Sequence, residues 1–271
     1  MTPGVSSKES YKHGPCTVEW FTPNRKHEVK SCGIWHMASF INHACNFNVR
    51  KSFIGDMQIV RAAQDMPADT QIFCSYIPAN IDKFQDGKKI LRHWGIECHC
   101  TMCEDIRATK PRLIAKRESL GEAIVMESLR PEGTTFSKMK GFVTELETTY
   151  RRPASEFPRM AVAAVHRCLV RSYMEAEQPD KIIEFSLEAL TDLGFIIEGA
   201  VKTRARTADG PIVVQRWGLM LDNVISYWGA LASTYASVGA PARAAQAREF
   251  AKISYRICVG EDDTFDDTIA M

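Results

Sequence analysis

The sequence predicts an α+β chain, an irregular β-rich first part followed by an all-helical second part. Three observations carry this reading. Short stretches of the first part alternate faces with the two-residue period of a strand. Residues 107–271 read as helix after helix, with apolar residues recurring at three- and four-residue steps, the period of a helix with one buried face. Seven of the nine cysteines fall within residues 1–106, so composition changes where the periodicity does.

Met57–Ala62 and Gln71–Ile77 are the strand candidates, with Pro67-Ala68-Asp69 as a turn between them. In the second strand Ile72, Cys74 and Tyr76 share one face and Phe73, Ser75 and Ile77 the other. In the helical part Val162, Val165, Leu169 and Tyr173 form one stripe. Ile183, Leu187, Leu190 and Leu193 form another, closed by Gly194 at the C-cap position. Asp209-Gly210-Pro211 reads as a turn, and Trp217, Leu221, Val224, Trp228, Leu231 and Tyr235 as one long helix ending near Gly239. Pro241 opens the next helix, where its missing N–H has no partner to lose, with Ala244, Ala247, Ala251, Tyr255 and Cys258 facing inward. Leu231-Ala232-x-x-Tyr235-x-x-x-Gly239 followed by Ala244 and Phe250 resembles a tetratricopeptide helix pair, although no strict period of about 34 residues is present. An ordinary helical bundle and a repeat array both remain open.

Thirty-four basic and thirty-three acidic residues leave a formal charge of +1, so no direct nucleic-acid binding and no polybasic membrane anchor are expected. No apolar run approaches a membrane span, and the polar first fourteen residues lack the core of a secretory signal. Nine cysteines in such a chain are expected to be reduced thiols of the cytoplasm or nucleus, and clustered ones to hold metal. The basic cluster from Lys110 to Arg117 reads as a solvated helix face, and His166 as structural.

Three features carry chemistry, all within Asn42–Cys103. Cys98, Cys100 and Cys103 place three thiolates within six residues, enough to share one zinc ion, which takes four such ligands in a structural site. The fourth must come from elsewhere, since on extended backbone His99 points away from its neighbours' sulfurs. Upstream lies Asn42-His43-Ala44-Cys45-Asn46-Phe47-Asn48, and between the two lies the strand ending at Tyr76.

In this order and spacing the three features resemble the SET domain family of lysine methyltransferases, and within it the SET and MYND type proteins and fungal relatives with C-terminal helical repeats. Gly33 to Ile41 leading into Asn42-His43-x-Cys45-x-x-Asn48 is similar to the approach to that family's Asn-His-Ser-Cys-x-Pro-Asn motif. Ala68 to Tyr76 is similar to its Gly-Glu-Glu-Leu strand ending in the active-site tyrosine. Arg92 to Cys103 is similar to its post-SET tail, Cys-x-Cys-x-x-Cys.

The resemblance implies the C-terminal half of a SET domain over residues 1–97, a zinc-binding tail over 98–106 and a tetratricopeptide-like helical domain over 107–271. It implies that Asn42 and His43 contact S-adenosylmethionine, that Tyr76 is the active-site tyrosine and touches the cofactor, and that Trp94 and Ile96 wall the lysine channel and cover the adenine. It also implies Cys45 as the fourth zinc ligand beside Cys98, Cys100 and Cys103. The partners implied are a protein substrate bearing a lysine and, for the helices, a peptide segment.

The chain departs from the pattern at Ala44, Phe47 and Asp69-Thr70-Gln71, where the family has serine, proline and Gly-Glu-Glu. No Gly-x-Gly occurs in the sequence and only 41 residues precede Asn42, so the domain is expected to be N-terminally incomplete, with strand edges left open. Two functions are therefore carried forward: an S-adenosylmethionine-dependent protein-lysine N-methyltransferase, and a non-catalytic interaction protein that binds partners through its helices. A zinc hydrolase or deaminase is disfavoured, because four thiolates leave the metal no open position and no nearby His-x-Glu supplies a base.

Overall fold

A computed structural model describes residues 34–55, 57–77, 84–128, 136–199 and 210–269. Gly33 and Asp209, named in the sequence reading, lie outside them.

The first part is built from short pairings. After a 3-10 turn at Ala38–Phe40, strand β1 (Asn42–His43) lies parallel to β4 (Phe73–Cys74), with Asn42 opposite Phe73 and His43 opposite Cys74. Between them in sequence, β2 (Val49–Ile54) and β3 (Met57–Ala62) form an antiparallel hairpin in which Ile54 faces Met57. So tight a connection requires left-handed backbone, which Gly55 adopts at φ 61°.

β3 matches the strand expected there. The strand expected over Gln71–Ile77 is only Phe73–Cys74, because its two-residue parallel partner ends and the Tyr76 N–H turns to a histidine ring instead. β2 has no counterpart among the sequence-derived elements. Its alternation is blurred by Arg50-Lys51, although Gly55 between apolar runs is a hairpin signal.

Among the described residues four helices precede the two expected stripes: α1 (Phe84–His93), α2 (Thr101–Ala108), α3 (Pro111–Ser128) and α4 (Phe136–Glu147). The boundary drawn between residues 106 and 107 falls inside α2. Val162, Val165, Leu169 and Tyr173 are buried on α5 (Met160–Glu175), and Ile183, Leu187 and Leu190 on α6 (Pro179–Asp192). The chain then forms a small hairpin of β5 (Ile196–Glu198) and β6 (Val213–Arg216), broken by an irregularity at Ile196/Ile197.

The long helix expected from Trp217 begins only at Asn223, as α7 (Asn223–Ser237). The β-branched run Ile212-Val213-Val214 prefers extended backbone, and Trp217 packs edge-on to Phe195 from a loop, ring centroids 5.7 Å apart. α8 (Pro241–Val259) opens on its proline as expected, and a short α9 (Phe265–Ile269) follows. The helix pairs α5/α6 and α7/α8 are each joined by a few residues and stack in sequence order.

The two parts share a core. Phe47 and Ala63 are buried in the same cluster as Leu187, Trp228 and Tyr255. Two arginines of the β2–β3 hairpin hold helix ends: Arg50 pairs with the buried Asp222 just before α7. Arg61 donates to the Gly260 carbonyl at the end of α8, over 3.2 Å and 2.7 Å, where the helix dipole favours a cation. Gly260 (φ 101°) lets the backbone reach the hairpin, since an added Cβ would stand 2.4 Å from Ser52 Oγ.

Phe47 thus fills space between the two parts, and Phe47→Ala is expected to cost about 3–5 kcal/mol in urea denaturation. A cost below about 1 kcal/mol would show that the parts do not depend on a common core.

Candidate metal centre and tyrosine site

Three sulfurs come from one short run. Cys98 and Cys100 sit on non-helical backbone between α1 and α2, and Cys100 is the residue that caps α2, at φ −64° and ψ 161°. Residues two apart on an extended strand point the same way, and the entry into α2 brings Cys103 back over them. Arg107 braces this bend by donating to the Cys98 carbonyl at 3.0 Å. Its second terminal nitrogen lies 3.4 Å from His99 Nδ1, so the exposed His99 ring is drawn outward, away from the sulfurs.

The fourth sulfur comes from the turn after β1. Cys45 Sγ lies 3.6 Å from Cys103 Sγ, and the sulfurs of Cys45, Cys98, Cys100 and Cys103 all lie within 4.8 Å of one another. Tetrahedral zinc with Zn–S near 2.3 Å needs sulfur–sulfur edges of roughly 3.8 Å, so these separations fit the ion with small adjustments. The donor set is all thiol, which matches zinc and closes its coordination.

Packed this closely, the thiols shift one another. Hydrogen bonding with Cys103, then Cys45, draws Cys100 down to about 6. Hydrogen bonding with Cys100 and Cys103 draws Cys98 down and pushes Cys45 up. The N-terminus of α2, with its positive dipole end, opens beside them and favours thiolate.

His43 stands between this cluster and Tyr76. The residue is 9% exposed, with Nε2 3.4 Å from Cys45 Sγ and Nδ1 accepting the Tyr76 N–H at 3.0 Å. Both ring nitrogens are engaged, so any further contact from this residue falls to its main chain. The Tyr76 hydroxyl donates to the Ile41 carbonyl at 2.5 Å, and burial, with Cys74 adding, pushes the phenol up.

Asn42 is exposed at the start of β1. Trp94 is half exposed and Ile96 partly buried, on the turn that leads from α1 to Cys98; the Ile96 N–H donates to the Leu91 carbonyl at 2.8 Å. Among the described residues no hydrogen bond or ring contact joins Trp94 or Ile96 to His43 or Tyr76. The structure therefore brings the four cysteines, His43 and Tyr76 together and leaves Asn42, Trp94 and Ile96 at the rim.

Asn48, to which the sequence alone assigns no role, joins the turn after β1 to β4. Its buried side chain donates to the Gln71 carbonyl at 2.9 Å and accepts the Phe73 N–H at 2.7 Å, while its own N–H donates to the Phe73 carbonyl at 3.1 Å. These bonds sew β4 against the turn that carries Cys45. Its place in the quoted motif was the signal.

The solvated face expected for Lys110–Arg117 needs correction at Arg117, which is buried. It donates to Thr149 Oγ1 at 3.0 Å and to the Thr149 carbonyl, lies 3.5 Å from Asp105 and covers the Tyr150 ring at 4.0 Å. Since Asp105 follows Cys103 by two residues, this ion pair fixes α2 to α3. Phe157, Tyr150 and Met160 pack on Cys45 and Cys103 from the same side, so the cysteine cluster lies against the helices rather than at a free tail.

Comparison with known proteins gives a matching family. Residues 8–77 match the SET domain, and the match begins ahead of the described residues. A protein named methyltransferase from Gibberella zeae is 31% identical over 267 residues, 98% of this chain and 36% of that protein. The histone-lysine N-methyltransferase ASHR2 of Arabidopsis thaliana is 32% identical over 97 residues, 33% of this chain and 23% of that protein. The SET domain and MYND-type zinc finger protein 6 of Schizosaccharomyces pombe is 31% identical over 70 residues, 26% of this chain and 14% of that protein. The chain thus spans about a third of the length of the first relative and less of the others.

If the four thiols form one metal site, the reduced chain should carry about one zinc per molecule by plasma mass spectrometry. Cys45→Ser should lower that content sharply, and His99→Ala should leave it unchanged. Loss of zinc on changing His99 would contradict the geometry.

Proposed function

Because the chain belongs to the SET domain family, we propose that it carries part of a protein-lysine N-methyltransferase that draws its methyl group from S-adenosylmethionine. The observation that carries the reading is the meeting of the three motifs at one place. His43 of the first bonds the main chain of Tyr76 from the second and lies beside Cys45, whose sulfur joins the three of the third.

The chemistry asks little of the protein beyond placement. A lysine Nζ lone pair attacks the methyl carbon in line, the carbon–sulfur bond breaks as the nitrogen–carbon bond forms, and the amine sheds one proton to solvent. S-adenosylmethionine supplies the activated methyl when bound. The amine must arrive neutral, and a dry channel lowers a lysine pKa by desolvation. A phenol pushed up by burial stays protonated at neutral pH, and with its proton given to the Ile41 carbonyl its oxygen keeps a lone pair to accept from and orient that amine. In this reading Tyr76 is the catalytic residue, Asn42 and the His43 main chain meet the cofactor, and Trp94 and Ile96 line the channel and adenine side.

Zinc held by Cys45, Cys98, Cys100 and Cys103 would supply order rather than Lewis acidity, since four thiolates leave it no open position. The run from Cys98 is then a post-SET tail, fastened to the helices by Asp105–Arg117 and Phe157. The stacked antiparallel pairs support a tetratricopeptide-like second part, with the β5–β6 hairpin inserted between pairs, forming one wall of a cleft for a protein substrate. Histone and non-histone lysines both suit this reading, as does a cytoplasmic or nuclear setting.

Thermal-shift measurement with S-adenosylhomocysteine is expected to raise the melting temperature of both the natural chain and Tyr76→Phe. Methyl transfer from labelled S-adenosylmethionine to a lysine-bearing protein should fall by about 10²–10³-fold in the variant, the cost of losing one placed hydroxyl. A chain that neither shifts nor transfers overturns the proposal in favour of the non-catalytic interaction protein.

A further inference from the structure

We propose that His43 is a positioning residue that couples the four-cysteine cluster to Tyr76, so that metal occupancy sets where the tyrosine stands. The inference rests on the reading of Tyr76 as the catalytic tyrosine and adds a physical link between two sites that are far apart in sequence.

The geometry fixes the ring's tautomer. Nδ1 lies 3.0 Å from the Tyr76 N–H, which is always a donor, so Nδ1 must be the acceptor. In the neutral imidazole the single proton then sits on Nε2, which lies 3.4 Å from Cys45 Sγ. The ring therefore donates toward the sulfur on one side and accepts from the tyrosine main chain on the other. An N–H donated to a metal-bound thiolate draws charge from it, and partners of this kind are worth about 10–100-fold in metal affinity.

The link is stiff. Because His43 is buried, its ring has little water available to replace either bond. Its face stands against Tyr76, ring centroids 5.4 Å apart at 51°. Tyr76 is held at its other end by Ile41, whose carbonyl accepts the phenol proton at 2.5 Å. Ile41 and His43 flank Asn42 on the run that leads to Cys45. A shift of Cys45 therefore moves the segment that grips Tyr76 at both its main chain and its hydroxyl. Asn48 closes the frame from behind by bonding Gln71 and Phe73, so the displacement is passed to the tyrosine rather than absorbed in the loop.

Two substitutions separate the two bonds. In His43→Asn the shorter side chain keeps an acceptor near the Nδ1 position and loses the donor toward Cys45. In His43→Gln a donor reaches the Nε2 position and the acceptor for Tyr76 is lost. With the full chain loaded with zinc, transfer of the metal to a chromophoric chelator should be about tenfold or more faster in His43→Asn and within about threefold of the natural rate in His43→Gln.

In the natural chain the Tyr76 backbone amide resonance should move when zinc is withdrawn. In His43→Gln, where only the Ile41 carbonyl still grips the tyrosine, the same withdrawal should move it clearly less. Equal zinc release from the two variants, or a Tyr76 amide in the natural chain that ignores the metal, overturns the coupling. Neither readout uses cofactor or substrate. Failure to bind S-adenosylhomocysteine would therefore strike the methyltransferase reading while leaving the coupling to stand or fall on its own result.

Discussion

The contact between Cys45 and Cys103, two sulfurs 3.6 Å apart and 58 residues apart in sequence, organises everything around it. Closing a loop of that length costs roughly 3.6 kcal/mol of chain entropy beyond a constant. A structural zinc contributes about 10–16 kcal/mol in small metal-binding folds, several times that cost. Zinc in this site would therefore be the dominant bond of the first part, whose strands, among the described residues, are short pairs. β1 and β4 have two residues each, and their register depends on what happens at Cys45 and Asn48.

How much was legible depended on whether a residue's role is local. The helical stripes on α5 and α6 and the inward face of α8 follow from periodicity alone, because burial on one helix face is a local pattern. Cys98, Cys100 and Cys103 were legible for the same reason: a run that passes from extended backbone into a helix puts all three thiols on one side. Cys45 was not derivable from its surroundings and entered through resemblance. The hairpin β5–β6 was missed since Trp217 and Leu221 fall on helical spacing by chance, while the β-branched run before them favours a strand. Arg117 looked solvated because its partners Asp105 and Thr149 lie on other elements, and a buried guanidinium is visible only once they are in place.

The departures from the family pattern have physical counterparts. Phe47, where a proline is usual, is buried among residues of the second part and gives the hairpin a foothold on the helices. Arg50 and Arg61 then hold the hairpin against the ends of α7 and α8. The cysteine cluster sits on the same helical surface through Phe157 and Met160. The helices thus act as a platform for the motif-bearing residues, consistent with a similarity to the Gibberella zeae protein that runs through both parts.

X-ray absorption at the zinc edge of the reduced full chain tests the central claim most directly. Four thiolates at one ion predict a single shell of four sulfur scatterers at about 2.3 Å. A nitrogen or oxygen scatterer near 2.0–2.2 Å, or fewer than four sulfurs, would contradict the account, for it would take Cys45 out of the cluster and with it the join between the two motifs.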